Sequence, residues 1–253
     1  YSEAEKYARK AIEWGNKEGY NALLWSYHMN ERHSAEEKLS LAEYAIKDGY
    51  PEGYAFVALN QKDTKKIIQT LEKGVANGCS MCWDDLISNL EVVSDYKRIY
   101  QLYEKRGTSK DYFNMALMLM DEMVGKGLPA ENQHILELLN KSADMNDLSA
   151  LMLLGDIFCT REYSLAIDDP QVGMGYYNKA NSLRAGYASG DIGNYYANIG
   201  DFDKAVANFK AGADAGYSFS NTNLGKCYLM GKGVEADTAK AMECFMEAAS
   251  QGY

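Results

Sequence analysis

A small-residue mark returns along this 253-residue chain every 29 to 40 positions, and nothing else in the sequence limits the possible folds so tightly. The marks are Gly19-Tyr20, Gly49-Tyr50, Gly78-Cys79, Gly107, Asn146, Gly186-Tyr187, Gly216-Tyr217 and Gly252, spaced 30, 29, 29, 39, 40, 30 and 36 residues apart. A period in this range is the mark of stacked repeats. Four residues before each mark stands a small residue: Gly15, Ala45, Gly74, Ser142, Ser182, Gly212 or Ala248, with Tyr103 as the exception. Seven before it stand mostly bulky apolar groups: Ile12, Leu71, Tyr100, Leu139, Phe209 and Phe245, with Ala42 and Lys179 departing. Offsets of four and three place these side chains on one stripe of an α-helix. Gly or Asn then closes the helix, because both accept the left-handed conformation of a C-terminal cap at low cost.

After each mark a second helix is predicted from a large apolar residue followed by a smaller one. Trp25-Ser26, Val57-Ala58, Met115-Ala116, Leu154-Gly155, Ile192-Gly193 and Leu224-Gly225 follow this rule, and Leu86-Ile87 keeps only its first half. Bulky beside small lets neighbouring helix backbones approach closely and interlock. A mid-helix glycine costs roughly 1 kcal/mol relative to alanine, so the packing it permits must offset that cost. Each unit is therefore read as a helix hairpin and the chain as all-α. The units run over residues 1–19 (a second helix alone), 20–49, 50–78, 79–107, 108–146, 147–186, 187–216 and 217–252, within one array spanning 1–253. Strand patterning is absent, and the longest apolar run, Met115 to Met120, is far short of the roughly 20 residues of a membrane helix.

Two connectors, Gly125-Lys126-Gly127-Leu128 and Gly231-Lys232-Gly233-Val234, carry the same glycine-marked turn. With Leu224-Gly225, Tyr228, Asp237, Lys240-Ala241, Phe245, Ala248-Ala249 and Gly252, the second of them resembles one nearly complete Sel-one-like repeat, a variant of the tetratricopeptide repeat with a longer connector. The unit beginning at Tyr187, with its short connector Gly200-Asp201-Phe202-Asp203-Lys204-Ala205, resembles an ordinary tetratricopeptide unit. The likeness is densest over residues 108–253. At Lys179 the 147–186 unit departs from it, and Tyr177 fills the apolar place if two residues are inserted after it.

The resemblance implies a right-handed α-solenoid of stacked antiparallel hairpins whose concave side meets a protein or peptide. It also implies which offsets face the groove: six and three before the small residue of each pair, and one, four and five after it. Of the side chains at those offsets, the candidates for partner binding are Phe113, Leu117, Met152, Asp156, Tyr187, Asn194, Asn198, Phe219, Lys226 and Met230. Asn194 resembles the asparagine with which some tetratricopeptide domains hold a C-terminal carboxylate. Such a clamp needs basic neighbours, whereas Ser189, Gly190 and Asp191 precede Asn194 and only Lys226 follows in the next unit. The expected groove is therefore neutral to acidic, taking a chain segment through amides and apolar pockets.

A formal net charge of −10 disfavours a nucleic-acid partner, since phosphate binding needs clustered Lys and Arg, and Lys-rich stretches such as Lys62-Asp63-Thr64-Lys65-Lys66 are short and interrupted by acids. Catalysis finds no motif. His28 and His33 are five apart rather than four, and Gly231-Lys232 is followed by glycine rather than the Ser or Thr of a phosphate loop. The chain is accordingly read as a non-enzyme without metal or cofactor, monomeric, and acting as a binding scaffold. Two alternatives stand beside that reading: a regulatory or targeting segment of a longer polypeptide, and a secreted or cell-surface binding protein. Repeat arrays generally need polar caps, which neither end supplies, so a natural protein extending past one or both ends is expected. Localisation stays open, the cytoplasm favoured, since a leader could precede Tyr1. Cys79-Ser80-Met81-Cys82 lacks the preceding strand of a redox motif and a second ligand pair for zinc, and is read as packing. Cys227 and Cys244 fall on the two helices of the last unit, where a disulfide is left open, as in cysteine-rich relatives of the repeat family.

Overall fold

The computed structural model describes residues 2–121, 128, 131–160, 165 and 169–252. Among these, fifteen α-helices and no strand are found, in two compact units, Tyr1–Lys105 and Arg106–Tyr253. The first carries α1 (Ser2–Glu13), α2 (Gly19–Met29), α3 (Ala35–Lys47), α4 (Gly53–Leu59), α5 (Thr64–Ala76), α6 (Cys82–Val92) and most of α7 (Tyr96–Arg106). The second carries α8 (Ser109–Met120), α9 (Asn132–Asp144), α10 (Leu148–Cys159), α11 (Pro170–Leu183), α12 (Ser189–Asn198), α13 (Phe202–Asp214), α14 (Ser218–Met230) and α15 (Thr238–Ser250). Helices pack in pairs, α8 on α9, α10 on α11, α12 on α13 and α14 on α15.

Helix starts follow from side-chain caps. Asp63, Asp147, Asp169, Asp201 and Asp237 each accept a backbone N–H two or three residues on, and Ser34 with Glu37 and Thr108 with Asp111 form reciprocal capping boxes. Helix ends follow from the marks. Gly49, Gly78, Gly107, Asn146, Gly186, Gly216 and Gly252 all lie at positive φ, between 65° and 90°. After four of them, the N–H of Tyr50, Cys79, Asp147 or Tyr217 reaches back to the carbonyl of Ala45, Gly74, Ser142 or Gly212. That is the long bond of a Schellman cap.

Gly19 does not join this set. Gly15 takes the left-handed conformation (φ 84°), Asn16 N–H bonds to Ala11 O, and Gly19 is already the first residue of α2. Gly19 instead matches Gly53 at the start of α4. A Cβ at either would stand 2.6 Å from a carbonyl oxygen of the preceding helix, Ala8 or Ala42. The first mark is therefore Gly15, 34 residues before Gly49. The Gly-Tyr dipeptide misleads because it serves both as helix stop and as helix start.

The large–small pairs show what the small residues are for. A Cβ on Gly155 would lie 2.3 Å from the Tyr177 ring, on Gly193 2.5 Å from Phe209, and on Gly225 2.7 Å from Phe245. Three successive hairpins of the second unit thus seat an aromatic ring on a glycine, and Tyr177 occupies the place of Phe209 and Phe245. Lys179, out of pattern for a packing stripe, sends its Nζ 2.8 Å to the Ala143 carbonyl at the end of α9, where a cation also meets the helix dipole. In the last hairpin Gly231 and Gly233 are both left-handed, and a Cβ at Gly233 would strike the Phe202 carbonyl at 2.3 Å. The matching turn Gly125-Lys126-Gly127 lies outside the described residues.

The cysteines correct the sequence reading. Cys79 and Cys82 are disulfide-bonded, with Cα atoms 5.5 Å apart, well inside the span a disulfide bridges. Both are wholly buried, Cys82 N–H donates to Cys79 Sγ, and the absent side chain of Gly74 makes room, since a Cβ there would stand 2.4 Å from Cys82 Sγ. Helix α6 begins at Cys82, four residues after the left-handed Gly78, and both sulfurs lie in one core. Cys227 and Cys244, left open as a pair, are free thiols, as is Cys159.

Candidate functional site

Three helices of the second unit surround a hollow of about 780 Å³. From α10 come Asp156 and Cys159, with Thr160 just beyond; from α11, Pro170 and Tyr177; from α12, Asp191, Asn194, Tyr195 and Asn198, followed by Ile199. The α12 positions are i, i+3, i+4 and i+7, one helical stripe, and 156 and 159 share one stripe of α10. The stripes meet because Ile192-Gly193 and Leu154-Gly155 bury the opposite sides of the same helices.

Tyr177 links packing to polarity. Its ring lies on Gly155 and is 1% exposed, while its hydroxyl donates to Asp156 Oδ1 at 2.5 Å. Burial, and then the carboxylate it serves, raise this phenol far above its ordinary value. Burial first, and the Asp156 charge second, push the Asp191 carboxyl up to about 6. The same two causes push the Cys159 thiol up to about 11, so it stays protonated and is no nucleophile near neutrality. Among the described residues the hollow is thus lined by two interacting carboxyl groups, a row of amides and an apolar edge of Ile199 and Pro170.

Of the residues singled out in the sequence, Asp156, Asn194 and Asn198 come together here. Met152, one turn before Asp156, is half-buried and outside the lining. Tyr187 packs edge-on against Tyr217 at 6.0 Å, with the Arg184 guanidinium over both rings. Phe219 sits on Gly190, its ring 2.6 Å from where a Cβ would stand. Both aromatics therefore pack between neighbouring hairpins. Phe113 is half-buried and Leu117 exposed on α8. Lys226 is exposed and donates to Asn223 Oδ1 on its own helix, and Met230 is exposed at the end of α14.

Sequence reasoning did not select Asp191, Tyr195, Pro170 or Ile199. The first two share a stripe with Asn194 and Asn198, a signal that was present in the spacing. Tyr177 was placed only as a packing residue. In the first unit a hollow of about 540 Å³ near Arg9, Tyr27 and Glu37 has polar groups satisfied locally: Arg9 donates to Tyr27, and Glu37 accepts from the Ser34 N–H. Among the described residues no group of three or more His, Cys, Asp or Glu could hold a metal ion, and no helix is long and apolar enough to cross a membrane.

No family model matches the sequence, and no curated protein matches it. Solved structures do. The chain is similar over its whole length to a protective antigen of uropathogenic Escherichia coli strains displaying an SLR fold, at 19% identity and a TM-score of 0.57. It covers 65% of that protein. A Sel1 repeat protein from Oxalobacter formigenes matches 98% of this chain and 85% of its own at 20% identity, with a TM-score of 0.49. The fold is that of the Sel1-like helical repeats.

Proposed function

We propose that this chain is a non-catalytic protein-interaction scaffold that holds an extended segment of a partner protein along the second unit. The observation that carries the reading is the convergence of Asp156, Asn194 and Asn198, from two successive hairpins, on one hollow. Amide side chains donate and accept at once, so a row of them suits a peptide backbone, which offers both kinds of group. The volume falls within the range of small-ligand and peptide pockets, roughly 300–1,000 Å³. Repeat stacking is what brings side chains distant in sequence to one surface. The test pairs Asn194→Ala with Asn198→Ala in affinity capture from the source organism. The partner recovered by the native chain is expected to be lost, and unchanged recovery would count against this surface.

The Cys79–Cys82 disulfide favours a second reading, in which the scaffold works in an oxidising compartment, at the cell surface or beyond it. The structural neighbour described as a protective antigen lends the same direction. Mass mapping of protein taken from its native cells under non-reducing conditions decides this. An intact Cys79–Cys82 bridge supports the reading, and two alkylatable thiols contradict it.

A further inference from the structure

We propose that the Cys79–Cys82 bridge is a redox lock on the joint between α5 and α6. Closed, it seats the first turn of α6 on α5; opened by a dithiol reductant, it lets that turn lift. The lock belongs to the fold of the first unit and works whichever partner the array binds. Each residue of the turn Cys79-Ser80-Met81-Cys82 has its own tie. Cys79 N–H bonds back to the Gly74 carbonyl at 2.9 Å, closing the end of α5. The Ser80 hydroxyl donates at 3.2 Å to Oε1 of Glu52, the residue that precedes α4. Met81 packs against the apolar cluster that holds Tyr20, Tyr50 and Phe56. Cys82 opens α6 with its sulfur against Gly74, where a Cβ would stand 2.4 Å away. The bridge joins the two ends of this turn, so α5, α6 and the preceding hairpin meet at one four-residue segment.

Burial makes the chemistry and the motion one event. Both cysteines are wholly shielded from solvent, and thiol–disulfide exchange needs a thiolate to reach one of the sulfurs. That approach requires the first turn of α6 to leave Gly74 and Met81 to leave its cluster. In the open joint the reductant's thiolate attacks one sulfur and the S–S bond breaks. The reductant's second thiol then closes its own disulfide, and two electrons and two protons end on Cys79 and Cys82. The same exchange run backwards with a disulfide oxidant restores the bridge. A bridged turn has fewer open conformations than a dithiol turn, which favours the seated joint. By linkage, whatever holds the joint shut also protects the bridge from reduction.

The experiment follows peptide-resolved amide exchange in the whole chain, bridged and then reduced with tris(2-carboxyethyl)phosphine, which takes oxygen from water to become the phosphine oxide. Cys159, Cys227 and Cys244 are free thiols throughout, so the comparison isolates one bond. Amides of α5 and α6 should exchange about ten- to thirtyfold faster after reduction, while those of α12 to α15 stay unchanged. Reduction of the native bridge should be slower than in the urea-unfolded chain by on the order of a hundredfold. Met81→Ala keeps both sulfurs but loosens the turn, and should speed native reduction about tenfold. Met81→Leu, which refills the cluster, should reduce at about the native rate. Equal reduction rates in native and unfolded chains would overturn the lock. So would unchanged exchange in α5 and α6 after reduction, exchange lost throughout the chain, or a Met81→Leu protein that reduces as fast as the unfolded one.

Discussion

The two compact units answer one packing problem differently. In the last three hairpins of the second, Gly155, Gly193 and Gly225 admit the rings of Tyr177, Phe209 and Phe245, while α8 keeps a buried Ala116. In the first, the corresponding places hold Ser26, Ala58 and Ile87, all buried, and close contact moves elsewhere. There Gly19 and Gly53 admit the preceding helix backbone, Gly74 admits a disulfide, and rings meet rings, Tyr20 on Tyr50 at 5.7 Å and Trp25 on Phe56 at 5.0 Å. Helix hairpins therefore do not need one fixed set of core residues. What they need is a small residue wherever two backbones or a backbone and a ring converge. Only the ring-on-glycine solution in the 147–186 unit ends in a phenol hydroxyl, and there a carboxylate is tied to the packing and a polar hollow opens.

The largest expected effect tests how far the second unit depends on polar order at its start. Asp111 is wholly buried, and burial alone would raise its carboxyl, but hydrogen bonds from Arg106 and Thr108 prevail and hold it below the usual carboxylate range. Arg106→Ala leaves that charge buried with its main partner removed, and should cost about 3–5 kcal/mol in urea denaturation. Hydrogen exchange should show the loss within residues 106–253.

Next come the glycine seats themselves. Gly155→Ala or Gly193→Ala should destabilise by about 1–3 kcal/mol through overpacking, although alanine is the better helix former. In the first unit the sign reverses: Ala58→Gly should cost about 1–2 kcal/mol, the helix-propensity difference plus the loss of a buried methyl. Reducing the Cys79–Cys82 bridge releases only a four-residue loop, so about 2 kcal/mol should be lost. By peptide-resolved exchange, that loss should fall on the first unit alone.

Asp191 supplies a pH test. Its folded carboxyl titrates at about 6, above an unfolded value near 4, so the native state holds the proton longer than the unfolded chain does. Stability should therefore fall as pH rises from about 4 to about 6, and Asp191→Asn should remove that fall. At pH 7.5 the variant should be more stable by on the order of 2 kcal/mol, with no advantage at pH 3.5. The smallest effect is a gain: a Cβ at Gly175 on α11 meets nothing within 4 Å, so Gly175→Ala should stabilise by about 0.5–1 kcal/mol.

The helices and most of their ends were legible in the sequence because a Schellman cap needs glycine or asparagine at one fixed place, and a fixed place repeats. Gly19 was misread because a glycine kept for close approach looks the same in one dimension as a glycine kept for a left-handed turn. Cys79 and Cys82 read as packing in the sequence rather than as a disulfide, because spacing alone does not say whether two sulfurs face one core. Asp156, Asn194 and Asn198 were legible through the offsets of the repeat resemblance. Asp191 was not, since it lies one residue from the predicted offset occupied by Gly190, and Gly190 is covered by Phe219. Tyr187 and Phe219 shared the right offsets and still pack between hairpins, because an aromatic side chain finds more buried contact there than in an open groove.

The seat of Tyr177 on Gly155 underlies both the packing contrast and the ordered carboxylate of the hollow. A double-mutant cycle of Gly155→Ala and Tyr177→Ala, read by equilibrium denaturation, measures it directly. With the ring present, the added methyl should cost about 1–3 kcal/mol; with the ring removed it should cost nothing or stabilise, a coupling of at least about 1 kcal/mol. An equal cost in both backgrounds would mean that the ring does not rest on that glycine, and the contrast between the units would lose its basis.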